Sequence, residues 1–118
     1  MKRLLFFLSF FIVLTSCKNT TVEKPDNLID EEKMVDILYD VSILEAIKVT
    51  NPKSLETRKI NSNKYIYQKY KIDSLQFAKS DLYYASDVTS YEKMYKKVIE
   101  KIDNVRKADS INNAKVKK

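Results

Sequence analysis

The side chains of this 118-residue chain that could do chemistry are few. Histidine and glycine are absent, and cysteine occurs once, at Cys17. The chain therefore has no imidazole base or ligand and no glycine-rich phosphate loop. Asp36 and Asp40 are four residues apart, so on a helix they share one face and could hold a metal ion or share a proton. A solvated helix face is the alternative, and we expect a protein that is not an enzyme.

The single cysteine follows a short basic start and an apolar segment. Lys2 and Arg3 precede the run LLFFLSFFIVL, Leu4–Leu14, which contains no charged residue. This layout is typical of a secretory signal. Its eleven residues would cover only about half of the roughly 30 Å hydrocarbon core of a bilayer as a helix. A permanent transmembrane helix is therefore not expected.

The stretch Leu14-Thr15-Ser16-Cys17 resembles the lipobox of bacterial lipoproteins. The resemblance implies that the Cys17 thiol is joined to a diacylglycerol and that the chain is cleaved after Ser16. Two or three acyl chains would then anchor the protein stably in a membrane. A free thiol after a plain secretory signal is the alternative, but it leaves an unpaired cysteine in an oxidising compartment. We expect residues 1–16 to be a cleaved signal peptide and Cys17 to be the lipidated anchor.

Positive charge is concentrated at the two ends of the chain. The whole chain has 22 Lys and Arg against 16 Asp and Glu, and the signal peptide contains two of the basic residues. Residues 104–118 hold five basic residues and one acid, so the intervening part has 15 of each sign. A nucleic-acid binder would show a basic face, so no nucleic-acid partner is expected. We interpret residues 106–118 as a basic, frayed and solvated tail, with contact to anionic lipid headgroups as the alternative.

The elements that position these side chains are predicted to be helices. Tight turns between short strands favour glycine, which is absent, and Lys, Glu, Leu, Ile and Ala are frequent. The predicted helices run from about Asp30 to Val49, from Ser54 to Lys71, from a cap at Asp73 to near Ser86, and onward from a cap at Asp87. The sequence thus predicts an all-α fold, a small bundle of about four helices over residues 28–105, after a flexible polar tether at 17–27.

Apolar spacing indicates which helix faces are buried. The first helix has an apolar stripe at Met34, Ile37, Val41 and Leu44, with Leu38 beside it, and the third has one at Leu75, Ala78, Leu82 and Ala85, with Phe77 and Tyr84 beside it. The apolar positions of the last helix are Tyr91, Met94, Tyr95, Val98, Ile102 and Val105. Glu45 falls inside the first of these stripes, where burying a lone charge costs several kcal/mol. It is therefore a candidate buried polar residue, and we expect a lysine or tyrosine of another helix to pair with it.

Four tyrosines form the candidate binding surface: Tyr83, Tyr84, Tyr91 and Tyr95. Neighbouring residues of a helix point about 100° apart, so Tyr83 and Tyr84 cannot both face the core. An exposed strip of these rings would suit a peptide or a glycan. Packing in the core is the alternative.

Two segments, Leu28–Ile47 and Tyr70–Ile102, resemble the domain-of-unknown-function family 4296 of small Bacteroidota lipoproteins. The matching positions are Asp40, Glu45, Phe77, Ser80, Tyr83, Tyr84, Tyr91 and Tyr95. The resemblance implies a helical fold and an envelope location, and it carries no known activity. Val88 departs from the family pattern, where a proline is expected to begin the last helix. Lys18 is compatible with delivery to the outer membrane, and residues 18–24 lack an acidic surface-export run, which favours the periplasmic face.

These observations predict a non-enzymatic, lipid-anchored envelope protein without a cofactor. We expect it to bind another envelope protein as an assembly or chaperone-like accessory. Residues 69–102 are also similar in style to the peptide-binding arms of periplasmic chaperones. The alternative is a lipoprotein that binds a small ligand or a metal through the carboxylates of the first helix. A hydrolase is disfavoured because histidine is absent and Cys17 is used as the anchor.

Overall fold

The computed structural model describes residues 21–116, which form five helices and no strand. The helices are α1 (Glu31–Thr50), α2 (Pro52–Thr57), α3 (Ser62–Tyr70), α4 (Ser74–Ala85) and α5 (Val88–Val116). The predicted all-α small bundle is confirmed. The predicted signal peptide and Cys17 lie outside the described residues. None of the helices within residues 21–116 has the length and hydrophobicity that crossing a membrane requires.

Side-chain caps determine where the helices begin. Asp30 accepts a hydrogen bond from the Lys33 amide at 2.9 Å, and Asp73 accepts one from the Gln76 amide at 2.8 Å. At α5 the carboxylate of Asp87 accepts from the Ser90 hydroxyl at 2.8 Å and from the Ser90 amide at 3.2 Å. These bonds to the charged form lower the pKa of Asp87. The predicted starts at residues 30, 73 and 87 are confirmed because capping acts within one turn.

The second predicted helix, from Ser54 to Lys71, is wrong in one respect: it is two helices. Helix α2 ends at Thr57 and α3 begins at Ser62. Between them Lys59 has φ 52°, and the Ile60 amide donates to the Leu55 carbonyl at 2.9 Å, which is the pattern of a Schellman helix end. The break lets Leu55 of α2 and Ile66 of α3 both reach the core, where they are 8% and 3% exposed.

Helix α1 is the centre of the bundle. It packs against α2, α3 and α5, and α4 packs against α5. Within the helices, the best-buried apolar side chains come from α1 and α5: Met34, Ile37, Met94 and Val98 are each at most 2% exposed. Ile29, which precedes α1, is equally buried. The predicted core face of α1 is therefore confirmed, and that of α5 is confirmed at Met94 and Val98. It is wrong at Tyr95 and Val105, which are 40% and 45% exposed.

The predicted core face of α4 is wrong. Leu75 and Leu82 are 62% and 59% exposed, and Ala78 is also exposed. The opposite side of α4 faces the bundle, where Ser80 is fully buried and Phe77 and Tyr84 pack against the core. Apolar spacing misleads here because the inward side has to bind the backbone that leads into α1, and that task needs polar groups.

The C-terminal residues differ from the expected frayed tail. Helix α5 continues past Arg106 as far as Val116, and every side chain from Asn104 to Val116 is exposed. Each added residue of a formed helix gains a backbone hydrogen bond, so the helix can extend beyond the core that it packs against. The segment is solvated as expected, but its described residues are helical.

Candidate functional site

The structure arranges the four candidate tyrosines in two pairs. The rings of Tyr83 and Tyr84 are 5.7 Å apart and those of Tyr91 and Tyr95 are 5.1 Å apart, each pair edge to face. The Tyr84 hydroxyl donates to the Ile29 carbonyl and the Tyr91 hydroxyl to Asp81 Oδ1, both at 2.7 Å.

Within these pairs, Tyr84 and Tyr91 have structural roles. Both pack against the core, and burial raises the pKa of each phenol. Tyr95 is 40% exposed. It shares a face of α5 with two further exposed apolar residues, Val88 and Ile99, which are seven residues before it and four after it. Tyr95 is therefore the member of the four that lies in an exposed apolar stripe.

Glu45 is not buried, so this prediction is wrong. Its side chain is 52% exposed and its carboxylate lies 3.4 Å from Lys48 Nζ on the same helix. The apolar stripe narrows toward the end of α1, where Leu44 is buried and its neighbour Glu45 points about 100° away into solvent. The buried polar side chain of the described residues is Ser80, whose Oγ accepts from the Ile29 amide at 3.0 Å.

Asp40 makes the contacts that were expected of Glu45. Its Oδ2 accepts from Lys69 Nζ at 2.6 Å and from the Tyr70 hydroxyl at 2.7 Å, which joins α1 to α3. The hydrogen bond to Asp40 raises the pKa of Lys69. The pKa of Tyr70 is raised mainly by burial and also by the hydrogen bond to the Asp40 carboxylate. Lys69 Nζ also lies 5.3 Å from the ring centre of Tyr70. The Asp40 carboxylate thus accepts hydrogen bonds from two donors of α3.

Asp36 contacts α5, whereas Asp40 contacts α3. Its carboxylate pairs with Lys101 of α5, whose Nζ lies 5.0 Å from the ring centre of Tyr39. One turn earlier, Glu31 pairs with Lys97 of α5 at 2.5 Å, and this hydrogen bond raises the pKa of Lys97. Asp36 and Asp40 therefore contact α5 and α3 respectively instead of converging on one ligand. Among residues 21–116 no group of three or more acidic, histidine or cysteine side chains is placed to hold a metal ion.

Two surface depressions meet at Ile43 of α1, and we call them together the Ile43 groove. The first lies among α1, α2 and α3, and its lining includes Ile43, Ile47, Leu55, Ile60 and Tyr65, with Asp40 and Arg58 as its charged residues. The second lies between α1 and α5, and its lining includes Tyr39, Ile43, Ile102 and Val105, with Arg106 and Asp109 as its charged residues. The first depression is lined mainly by apolar residues, whereas the second also includes Ser110 and Asn113 and is half polar. Together they carry charges of both signs.

Sequence reasoning missed this groove. Ile43 lies beside the predicted core stripe of α1, and Arg106 and Asp109 lie in the predicted frayed tail. An isoleucine next to an already complete apolar stripe was the available indication. Ile43 can be recognised as part of a groove only in the structure, where the helical extension of α5 places Val105 and Arg106 beside it.

Comparison with known proteins identifies the family and no activity. No curated protein and no solved structure matches the chain. A family model described as "Domain of unknown function" matches residues 25–108, which are most of the chain. The match covers α1 to α4 and the part of α5 that packs on α1. This chain therefore belongs to the family DUF4296, in agreement with the resemblance seen in its sequence.

Proposed function

We propose that this protein is a lipid-anchored envelope protein, and not an enzyme, that binds another envelope protein through the Ile43 groove. It would act as an assembly or chaperone-like accessory. The observation that carries the proposal is that two depressions, each lined by several apolar side chains, share Ile43 of α1. The absence of histidine from the chain supports binding over catalysis.

The chemistry of the groove suits a protein partner. Tyrosine and arginine are enriched at the centres of protein interfaces, and the groove includes Tyr39, Tyr65, Arg58 and Arg106. Its lining also includes the apolar side chains of Ile43, Ile47 and Ile102. An amphipathic helix or an extended apolar segment with charges of both signs at its margins would be complementary to this surface.

The walls of the groove are held in place by polar contacts. The Asp40–Lys69 pair ties α3 to α1 on one side, and the Asp36–Lys101 pair ties α5 to α1 on the other. Exposed ion pairs contribute little stability individually, but here each joins two different helices that line the groove. A surface whose walls are already positioned loses less conformational freedom on binding, which favours affinity.

The proposed location of the protein rests on its N-terminal sequence. We propose that acyl chains on Cys17 hold the protein in the outer membrane, facing the periplasm, because residues 14–17 resemble a lipobox and Lys18 follows them. The partner would then be a protein of the same compartment.

Crosslinking and affinity purification of the full-length protein from native envelopes test the proposal. Four forms would be compared: the wild type, Cys17→Ala, Ile43→Asp and Ile111→Asp. Ile111 is a matched control because it is 56% exposed on α5 and outside the lining of the groove. We expect one protein to be enriched with the wild type and Ile111→Asp, and to be lost with Ile43→Asp and depleted with Cys17→Ala.

Recovery of the same protein with Ile43→Asp would overturn the groove as the binding site. In that case Tyr95→Ala tests the exposed tyrosine stripe with Val88 and Ile99, since Tyr95 lies outside the groove. Circular dichroism of each variant checks that it is folded, so that a lost partner is not a consequence of unfolding.

A further inference from the structure

The outer face of α4 is apolar and uncovered. Leu75 and Leu82 are 62% and 59% exposed, and Ala78 lies between them on the same side of the helix, at spacings of three and four residues. Lys79 is exposed next to this stripe, four residues after Leu75 and three before Leu82. We call Leu75, Ala78, Lys79 and Leu82 the α4 outer face.

The N-terminal segment is bound beside this face. On the inner side of α4, Gln76, Ser80 and Tyr84 recur every four residues. The Gln76 side-chain amide donates to the Asn27 carbonyl at 2.9 Å, Ser80 accepts from the Ile29 amide, and Tyr84 donates to the Ile29 carbonyl. These bonds fix the position at which the chain leaves the bundle.

The segment before Asn27 then runs along α4. Residues 22–27 line one depression together with Lys79 and Leu82. Val22 therefore lies close to the α4 outer face. Thr21 is four residues after Cys17, and four residues of fully extended chain span at most about 14 Å. Acyl chains on Cys17 would thus begin within a short distance of Leu82.

We propose that the α4 outer face docks on the lipid surface in which Cys17 is anchored. The inference rests on the proposed lipidation of Cys17. Interfacial helices bury their apolar side about 5–10 Å into the boundary between headgroups and acyl chains. Leu75 and Leu82 enter that boundary, and the Lys79 ammonium stays among the headgroups with its methylene stem along the apolar surface. The protein is then held at two places and in one orientation.

A lipid surface suits this face better than a protein partner does. A stable protein interface buries roughly 800 Å² on each side, far more than two leucines and one alanine offer. A membrane needs no complementary shape, and the anchor supplies a high effective concentration of the surface without a separate binding step. The Ile43 groove, by contrast, is on α1, α2, α3 and α5 and does not include α4.

Fluorescence quenching in vesicles tests the docking. The full-length lipoprotein is purified from envelopes and reconstituted at low density into vesicles of phosphatidylethanolamine and phosphatidylglycerol. Leu82→Cys carries an environment-sensitive fluorophore, because Cys17 is blocked when it is acylated. Ile111→Cys is the matched control, an equally exposed apolar position on α5. Quenchers are attached to lipid at a shallow acyl position.

We expect a blue shift and a loss of fluorescence with Leu82→Cys, and neither with Ile111→Cys. A second variant, Leu75→Asp combined with Leu82→Cys, should reduce the quenching while the acyl anchor is kept. Both positions are exposed, so these changes leave the core intact.

The possible failures are distinguishable. Mass spectrometry first reports whether Cys17 carries the acyl groups. If the mass of the acyl groups is absent, the anchoring part of the proposed function fails, and the docking fails with it. If the acyl groups are present and the Leu82→Cys probe is no more quenched than the Ile111→Cys probe, the docking alone is overturned. A blue shift without lipid quenching that appears only at high protein density would indicate a second copy on this face and would also overturn it.

Discussion

Ser80 Oγ accepts a hydrogen bond from the Ile29 amide at 3.0 Å, although the two residues are 51 positions apart. Both are buried, with 0% and 2% of their surfaces exposed. The bond joins the segment before α1 to the middle of α4. Since α4 packs on α5 and α1 packs on α5, this bond closes the connection among the three longest helices.

Replacing Ser80 with alanine should destabilise the protein. Ser80→Ala leaves the buried Ile29 amide without an acceptor, and an unsatisfied buried donor costs about 1–3 kcal/mol. Urea denaturation followed by circular dichroism measures the change in the free energy of unfolding. Ser74→Ala, at an exposed position of the same helix, is the control and should change it by less than about 0.5 kcal/mol. Equal midpoints for the two variants would show that the bond contributes nothing.

Two carboxylates of α1 should respond differently to neutralisation. Asp40→Asn weakens the bonds from Lys69 and Tyr70 and should cost about 1–2 kcal/mol, since Lys69 is partly solvated and the Asp40 side chain is 16% exposed. Glu45→Gln loses only an exposed pair with Lys48 and should cost less than about 0.5 kcal/mol. Thermal melts of both variants at one salt concentration make the comparison. A larger loss with Glu45→Gln would restore the interpretation of Glu45 as the buried partner.

Glycine at position 71 should stabilise the protein. Lys71 ends α3 with φ 53°, a left-handed conformation that costs a residue with a Cβ about 1–2 kcal/mol and glycine almost nothing. Because glycine also makes the unfolded chain more flexible, we expect Lys71→Gly to gain about 1 kcal/mol or less. Lys93→Gly, inside α5, is the control and should lose about 1 kcal/mol. A loss with both variants would contradict the left-handed conformation at Lys71.

Alkaline solution should destabilise the fold through its tyrosines. The pKa values of Tyr70, Tyr84 and Tyr91 are raised above 10.0 by burial, so folding favours their neutral forms. Their contribution to stability is complete below about pH 10 and is lost as the pH rises toward the folded-state pKa values. Urea unfolding at about pH 9, 10 and 11 should show a falling free energy of unfolding.

Tyr91→Phe distinguishes the effect of tyrosine ionisation from other effects of high pH on stability. The variant removes one of the three phenols whose pKa is raised, so its free energy of unfolding should fall less steeply with pH than that of the wild type. An unchanged slope would mean that Tyr91 ionises as readily in the folded state as in the unfolded chain.

The sequence by itself determined the parts of this protein that depend on near neighbours. Helix starts at Asp30, Asp73 and Asp87 are readable because a cap bonds to amides two or three residues later. The buried stripes of α1 and α5 are readable because each lies on one helix with regular spacing. The family resemblance and the lipobox pattern are likewise local in the chain.

Only the tertiary structure decided which groups meet. Lys69 and Tyr70 form hydrogen bonds with Asp40, which is about thirty residues earlier in the chain. Ile29 forms hydrogen bonds with Ser80 and Tyr84, which are more than fifty residues later. No local spacing reports such partners, so the sequence predicts for Glu45 the contacts that Asp40 makes. The exposed face of α4 has the same cause. Its regular apolar stripe predicts a core face. The backbone before α1 requires hydrogen-bond partners, however, and the polar side of α4 faces inward to supply them.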